Sequence, residues 1–335
     1  MSNAGTPLRP VQLGPLHLAG NLVLAPMHKR THLAFRLLAR RAGAALTHTE
    51  MATPEDLLGA GGPRKGGNLL AAAPEDRPLG IQVLPRDPGP LQEAVALVAE
   101  RAAGDLVDLN FACPSRRVVR GDRGAAMLKD PDTAVRLVET AVRASRLPVT
   151  LKMRYGYTDS ALDLQRAMEV ARESVAAGAV AVTLHARTAT QQYHGRADWT
   201  VIRRWVEMLP VPVFGSGDLR TPEAVLAMLR ESGCAGASIA RGALGAPWIF
   251  RQTIDLAARG SYEPATLQER RETVLAHFAG LAEQYGERAA VKFMRRFATY
   301  YAKGFAGASL ARAAFQSVRT PEAFREMVEK WFGME

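Results

Sequence analysis

Eight short apolar runs recur over the first 240 residues, and stretches with helical spacing separate most of them. Alternating strand and helix imply parallel βαβ units, which restricts the fold more than any other property of this chain. The runs are Asn21–Ala25, Ala44–Thr49, Gly80–Leu84, Asp105–Asn110, Pro148–Lys152, Ala179–His185, Val211–Gly215 and Gly236–Ala240. They are apolar almost throughout, as strands covered on both faces must be. Leu91–Ala102, Asp132–Ala144, Leu162–Ala177 and Pro222–Glu231 are amphipathic at helical period. Asp130-Pro131 and Thr221-Pro222 put a capping side chain ahead of proline at the first helical position, and Gly178 closes the third of these helices. The pattern predicts an α/β chain with a (β/α)8 TIM barrel over residues 11–250. Residues 51–78, rich in Gly, Pro and Ala, are expected to hold a loop and a short helix.

After Trp248 the strand pattern stops. Leu267–Tyr285, Arg288–Gly304 and Thr320–Phe332 carry apolar residues at helical spacing, which predicts a C-terminal helical bundle over 262–333. A length of 335 residues suits a barrel of about 250 plus a small second domain. No apolar run reaches the roughly 18 residues of a membrane span, and the first residues lack the pattern of a secretory signal. Two cysteines, Cys113 and Cys234, make no disulfide framework and no metal-ligand spacing. A cytoplasmic, metal-free monomer is expected. The net charge of +10 favours a polyanionic partner, although a generic basic enzyme accounts for the charge alone equally well.

Chemistry in such a barrel sits at the C-terminal ends of the strands. Pro26-Met27, Glu50, Gln82, Asn110 with Cys113, Lys152 with Arg154, His185 with Arg187, Gly217-Asp218 and Ala240-Arg241 occupy those ends. Cys113 lies past its strand, in a loop before Pro114, where a thiol can donate a proton, attack an electrophile or simply pack. Cys234 lies in a turn at the opposite end and is read as buried. Lys152 follows apolar residues at a strand end, so its ammonium either faces the mouth or is buried at high cost. It can form a Schiff base or set a positive charge beside a cofactor ring. Gly215-Ser216-Gly217-Asp218 and Ala240-Arg241-Gly242 follow the seventh and eighth strands, the usual phosphate corner of this fold. Arg116, Arg117, Arg120 and Arg123 crowd the loop after Cys113, and Arg288, Lys292, Arg295, Arg296 and Lys303 recur in the helical tail. A solvated face is the ordinary reading of such clusters, with nucleic acid the sharper one.

Seven motifs then occur in a fixed order: Leu24–Met27, Gln82, Asn110–Pro114, Leu151–Arg154, His185–Thr188, Ser216–Asp218 and Pro247–Phe250. Together they resemble the tRNA-dihydrouridine synthases, most closely the bacterial B-type, over about residues 11–333. The resemblance implies an FMN enzyme, supplied with electrons by NADPH, that reduces the C5=C6 bond of a uridine in tRNA. Carried over by motif, Cys113 is the proton donor, and the reduced flavin gives hydride to C6. Pro26, Met27 and His28 approach the flavin through their backbone, Gln82 and Lys152 bond its ring, and His185 lines its site. Ser216, Gly217, Asp218, Ala240 and Arg241 hold its phosphate, while Asn110, Arg154 and Arg187 contact the uridine. His28-Lys29-Arg30, Ser216 and Ala240 depart from the usual pattern. Three other readings stay open on the residues alone. They are a Schiff-base aldolase using Lys152, a flavin barrel acting on free pyrimidines, and a non-enzymatic RNA-binding protein.

Overall fold

The computed structural model describes residues 6–59, 69–305 and 307–333. The chain opens with a hairpin, β1 (Val11–Leu13) and β2 (Leu16–Leu18), and then builds eight parallel strands. These are β3 (Leu22–Leu24), β4 (Thr47–His48), β5 (Leu79–Val83), β6 (Leu106–Phe111), β7 (Val149–Arg154), β8 (Ala181–His185), β9 (Val213–Ser216) and β10 (Gly236–Ile239). Each pairs with its neighbour in order, and β10 returns to β3. The bonds from Ala45 N to Leu22 O (2.8 Å) and from Leu24 N to Leu46 O (2.9 Å) join the β3 and β4 segments, so the sheet closes. Closure removes the edges that an open sheet would expose.

Around the barrel run α1 (Leu33–Arg41), α2 (Pro54–Leu58), α3 (Pro88–Glu100), α4 (Arg116–Val119), α5 (Pro131–Ala144), α6 (Ala161–Ala176), α7 (Trp199–Met208), α8 (Pro222–Ser232) and α9 (Ile249–Arg259). The start signals work as the sequence requires. Asp130 accepts from Thr133 N at 3.1 Å and Thr221 from Ala224 N at 3.2 Å, so each helix begins at its proline. Within 51–78 the described part holds α2 and a 3-10 turn at Pro74–Asp76; the rest of that stretch lies outside the described residues. The hairpin was not foreseen, because three-residue strands are too short to display a period. It seals the barrel's N-terminal end, packing Val11, Leu13 and Leu18 on the inward Leu106, Ala181 and Phe214.

Four helices follow: α10 (Leu267–Tyr285), α11 (Glu287–Tyr301), α12 (Ala308–Ser317) and α13 (Pro321–Phe332). The helix α9 packs on α8 and extends the barrel's outer layer past residue 250. The helix α10 packs on α1 through aromatic side chains: His277 lies 5.5 Å from the Phe35 ring and 5.0 Å from that of His32. Burial holds His32 down at about 3 and His277 well below its usual range, so this junction is neutral and apolar in character.

Candidate active site

Side chains two apart on a strand share a face, and this register makes the barrel polar only at one end. On β6 the inward set is Leu106, Asp108 and Asn110, and on β7 it is Thr150, Lys152 and Arg154. Leu106 belongs to the apolar seal, whereas Asn110, Lys152 and Arg154 face an open cavity of about 360 Å³. That volume is in the range of small-molecule and cofactor sites. Every residue to which the motifs give a role lines this cavity except Arg187; Glu50, also at a strand end, lies outside the lining and accepts from Lys29 N.

Arg187 sits behind the wall, 1% exposed. Its guanidinium donates to His194 O (3.0 Å), Gly195 O (2.6 Å) and the Asp218 carboxylate (2.7 Å). The expectation of a direct substrate contact gives way to a structural one: Arg187 ties the loop after β8 to the turn after β9. Arg154 reaches the cavity but is also a brace, donating to Ala112 O (2.8 Å), Thr188 O (2.7 Å) and Gln192 O (2.9 Å). Backbone carbonyls, joined at Arg187 by the Asp218 carboxylate, take up both guanidinium groups, a use that motif spacing cannot reveal.

Cys113 is half-buried at the start of the loop after β6, and Cys234 is buried at the far end. The Asn110 side-chain oxygen accepts from both Ala112 N and Cys113 N at 3.0 Å, so the thiol's backbone is held by its own motif. Burial pushes the Lys152 ammonium down to about 8; Arg154 acts the same way, and Asp108 and Cys113 oppose it. Among the described residues no hydrogen-bond acceptor is found for that ammonium, which leaves it directed at the cavity. His185 is held neutral, first by burial and then by the charges of Lys152, Arg154, Arg187 and Arg241, and its Nε2 is buried without a partner.

Two aromatic residues at the mouth were not foreseen. Tyr193, 53% exposed, carries the Arg241 guanidinium 4.4 Å above its ring and meets His185 edge-on at 6.3 Å. Tyr300 comes from α11, flanked by Arg30 at 5.7 Å and Lys303 at 5.0 Å. In the sequence, Tyr193 stands in an aperiodic loop and Tyr300 beside a core face, so only an exposed aromatic among arginines hinted at either. Of the basic clusters, Arg116, Arg117, Arg120, Arg288, Lys292, Arg296 and Lys303 are exposed. Arg123 is drawn into bonds with Glu55 (3.0 Å) and Leu84 O (3.1 Å) instead.

The turns after β9 and β10 form an anion cradle. Gly217 has φ +129°, and a side chain there would come within 2.7 Å of the Ala197 Cβ. Among the described residues nothing accepts from the backbone N–H groups of Gly217, Asp218, Arg241 and Gly242. Donors left free at adjoining turns are what a phosphate needs. Asp218 turns its carboxylate away, into Arg187 and Ala197 N (2.8 Å). Burial pushes the Asp218 carboxyl up, but those bonds and the Arg187 and Arg241 charges outweigh it and hold the group below its usual range. A depressed acid contributes stability above its unfolded value of about 3.9 and loses it as pH falls through the folded one. Asp218→Asn is therefore expected to cost about 1–3 kcal/mol near pH 7, with the gap to the parent closing below about pH 3. Melting curves at both pH values check this, and a gap that persisted in acid would remove the charge from the explanation.

Fold and site together define a TIM-barrel enzyme. Among solved structures the chain superposes on histamine dehydrogenase from Rhizobium sp. 4-9 with a TM-score of 0.55 at 15% identity, covering 81% of this chain. It spans 50% of that longer protein. Morphinone reductase in complex with tetrahydroNAD gives a TM-score of 0.51 at 12% identity over 76% of this chain and 91% of the other. At such identities these matches speak to the fold.

The chain belongs to the dihydrouridine synthase family, whose model matches residues 23–333. A probable tRNA-dihydrouridine synthase of Treponema pallidum is 38% identical over 89% of each chain. The tRNA-dihydrouridine synthase B of Xanthomonas campestris is 32% identical over 96% of each. The protein is accordingly an oxidoreductase of that family.

Proposed function

We propose that this chain is an FMN-dependent tRNA-dihydrouridine synthase that reduces the C5=C6 bond of a uridine in tRNA, with NADPH as electron source. The observation that carries the reading is the convergence of Cys113, Lys152 and the free-donor cradle on one cavity. The residues fit FMN. The cradle matches a single phosphate, and the orphaned His185 Nε2 and Ser238 Oγ are buried polar atoms at the cavity that lack a partner within the chain. Gly217, Arg241 and Gly242 would hold the phosphate through their backbone, and Gln82 and Lys152 the ring. Bound there, FMN supplies two-electron chemistry, the hydride for C6 of the uracil ring.

The chain's own groups do the rest. Cys113 gives its thiol proton to C5 and is reprotonated by solvent, so uridine, NADPH and one proton become dihydrouridine and NADP+. Lys152 keeps a positive charge beside the ring while negative charge develops. A uridine stacked within tRNA must leave the stack to enter the mouth, where Tyr193 and Tyr300 offer stacking faces. The exposed arginines and lysines of the α4 loop and α11 serve the phosphate backbone, and we assign the helical part, about 262–333, to that task.

Purified protein with FMN, NADPH and unmodified tRNA transcripts is expected to form dihydrouridine, counted by nucleoside mass spectrometry, only when NADPH is present. No product on any tRNA despite bound flavin would overturn the reading in favour of free pyrimidines. Because Lys152 must be protonated, turnover should fall as pH rises through about 8. A rate flat to pH 10, on enzyme still folded and loaded, would remove that role.

A further inference from the structure

Asp108 is the one polar inward residue of β6 to which neither the motifs nor the proposed chemistry gives a task. It is 1% exposed, and among the described residues it has no cationic partner within salt-bridge distance. A buried carboxylate without an ion pair carries a solvation cost that an apolar residue would avoid, and its neighbours on the strand are leucine and valine. Its two oxygens accept from Thr150 Oγ1 (2.8 Å) and Gln82 Nε2 (2.7 Å). The Gln82 Oε1 accepts from Asn110 Nδ2 at 2.9 Å, and the Asn110 Oδ1 accepts from Cys113 N at 3.0 Å.

Every link in that series permits one direction. A carboxylate oxygen accepts, so the Gln82 amide must present its nitrogen to Asp108. Its oxygen then faces Asn110, which must present nitrogen in turn. The Asn110 oxygen is thereby left for the backbone N–H groups of Ala112 and Cys113. Reversing either amide would set donor against donor or acceptor against acceptor in a buried place.

We propose that Asp108 is a positioning residue for this site: a buried carboxylate that, through Gln82 and Asn110, sets the loop carrying Cys113. The proposal rests on Cys113 being the proton donor. A merely structural carboxylate, bonding β5 to β7, would change stability when replaced and leave the Cys113 thiol as it was.

Two variants separate these cases. Asp108→Asn keeps the direction of the series: its oxygen accepts from Gln82, its nitrogen donates to the Thr150 hydroxyl, and that hydroxyl rotates. Asp108→Leu keeps the branched shape and removes both acceptors. Iodoacetamide labelling of Cys113, located by peptide mass, reads the loop in protein without flavin or tRNA. In Asp108→Leu the labelling rate should change by at least about 3-fold, and kcat should fall by about 10- to 100-fold with KM for tRNA within about 3-fold. In Asp108→Asn the labelling rate should stay within about 3-fold of the parent, whereas turnover also responds to loss of the carboxylate charge that opposes the lowering at Lys152.

A Leu variant that labels like the parent overturns the proposal, as does an Asn variant whose labelling departs from the parent as far as that of Leu. Should Asp108→Leu fail to fold, Gln82→Leu cuts the same series one link on and must alter the labelling rate; an unchanged rate is equally fatal. If the parent enzyme makes no dihydrouridine, the functional reading fails while labelling still judges the series.

Discussion

Cys113→Ala is expected to keep FMN and tRNA affinity within about 3-fold while turnover falls by about 100- to 10,000-fold, the usual range for removing a positioned proton donor. The change is local for a structural reason. The backbone at Cys113 is held by Asn110, not by the thiol, and among the described residues the only side-chain hydrogen bond of the sulfur is to Ser115 Oγ at 3.6 Å. Alanine therefore leaves the loop, the cradle and the stacking residues in place and deletes the acid alone. Serine should not restore the rate, because a hydroxyl is a far weaker acid than a thiol. Single-turnover rates of flavin-loaded enzyme on tRNA, beside flavin fluorescence and filter binding, check both halves. Turnover within about 3-fold of the parent would take Cys113 out of the acid role.

Gly242→Ala is expected to lower FMN affinity by about 100-fold, equivalent to roughly 2.7 kcal/mol. A methyl group there would come within 2.0 Å of the backbone oxygen of Leu219, a distance no side-chain rotation can relieve. One of the two turns after β9 and β10 must move, and these are the turns whose free N–H groups form the cradle. Overpacking of this kind costs about 1–3 kcal/mol of fold stability, so the barrel should survive with a lowered melting temperature. Flavin titration followed by fluorescence quenching measures the loss. Affinity unchanged in a folded variant would show that the phosphate does not sit on these turns. The paired change Gly260→Ala, at a helix end with open space around it, should leave flavin affinity alone.

The sequence determined by itself whatever depends on neighbours along the chain. Strands covered on both faces must be apolar, and a capped proline must start a helix, so the eight strands and α5, α6, α8 and α10 stand within a few residues of where the patterns put them. The order of motifs was enough for the family, because each sits at a strand end that the barrel turns toward one mouth. Tertiary structure decided what each polar group spends its bonds on. Arg154 and Arg187 look alike in the sequence, each two residues after the end of its apolar run at Lys152 and His185. Only folding shows that carbonyls from Thr188 to Gly195 take up both guanidinium groups and turn Arg187 wholly into the wall. Tyr300 reaches the mouth because α10 and α11 dock on α1, a contact between segments some 240 residues apart in the chain. Asp108 left one trace, a charge two residues before Asn110 on an otherwise apolar strand. The direction of its hydrogen bonds is a property of three adjacent strands together, and no single stretch of sequence contains it.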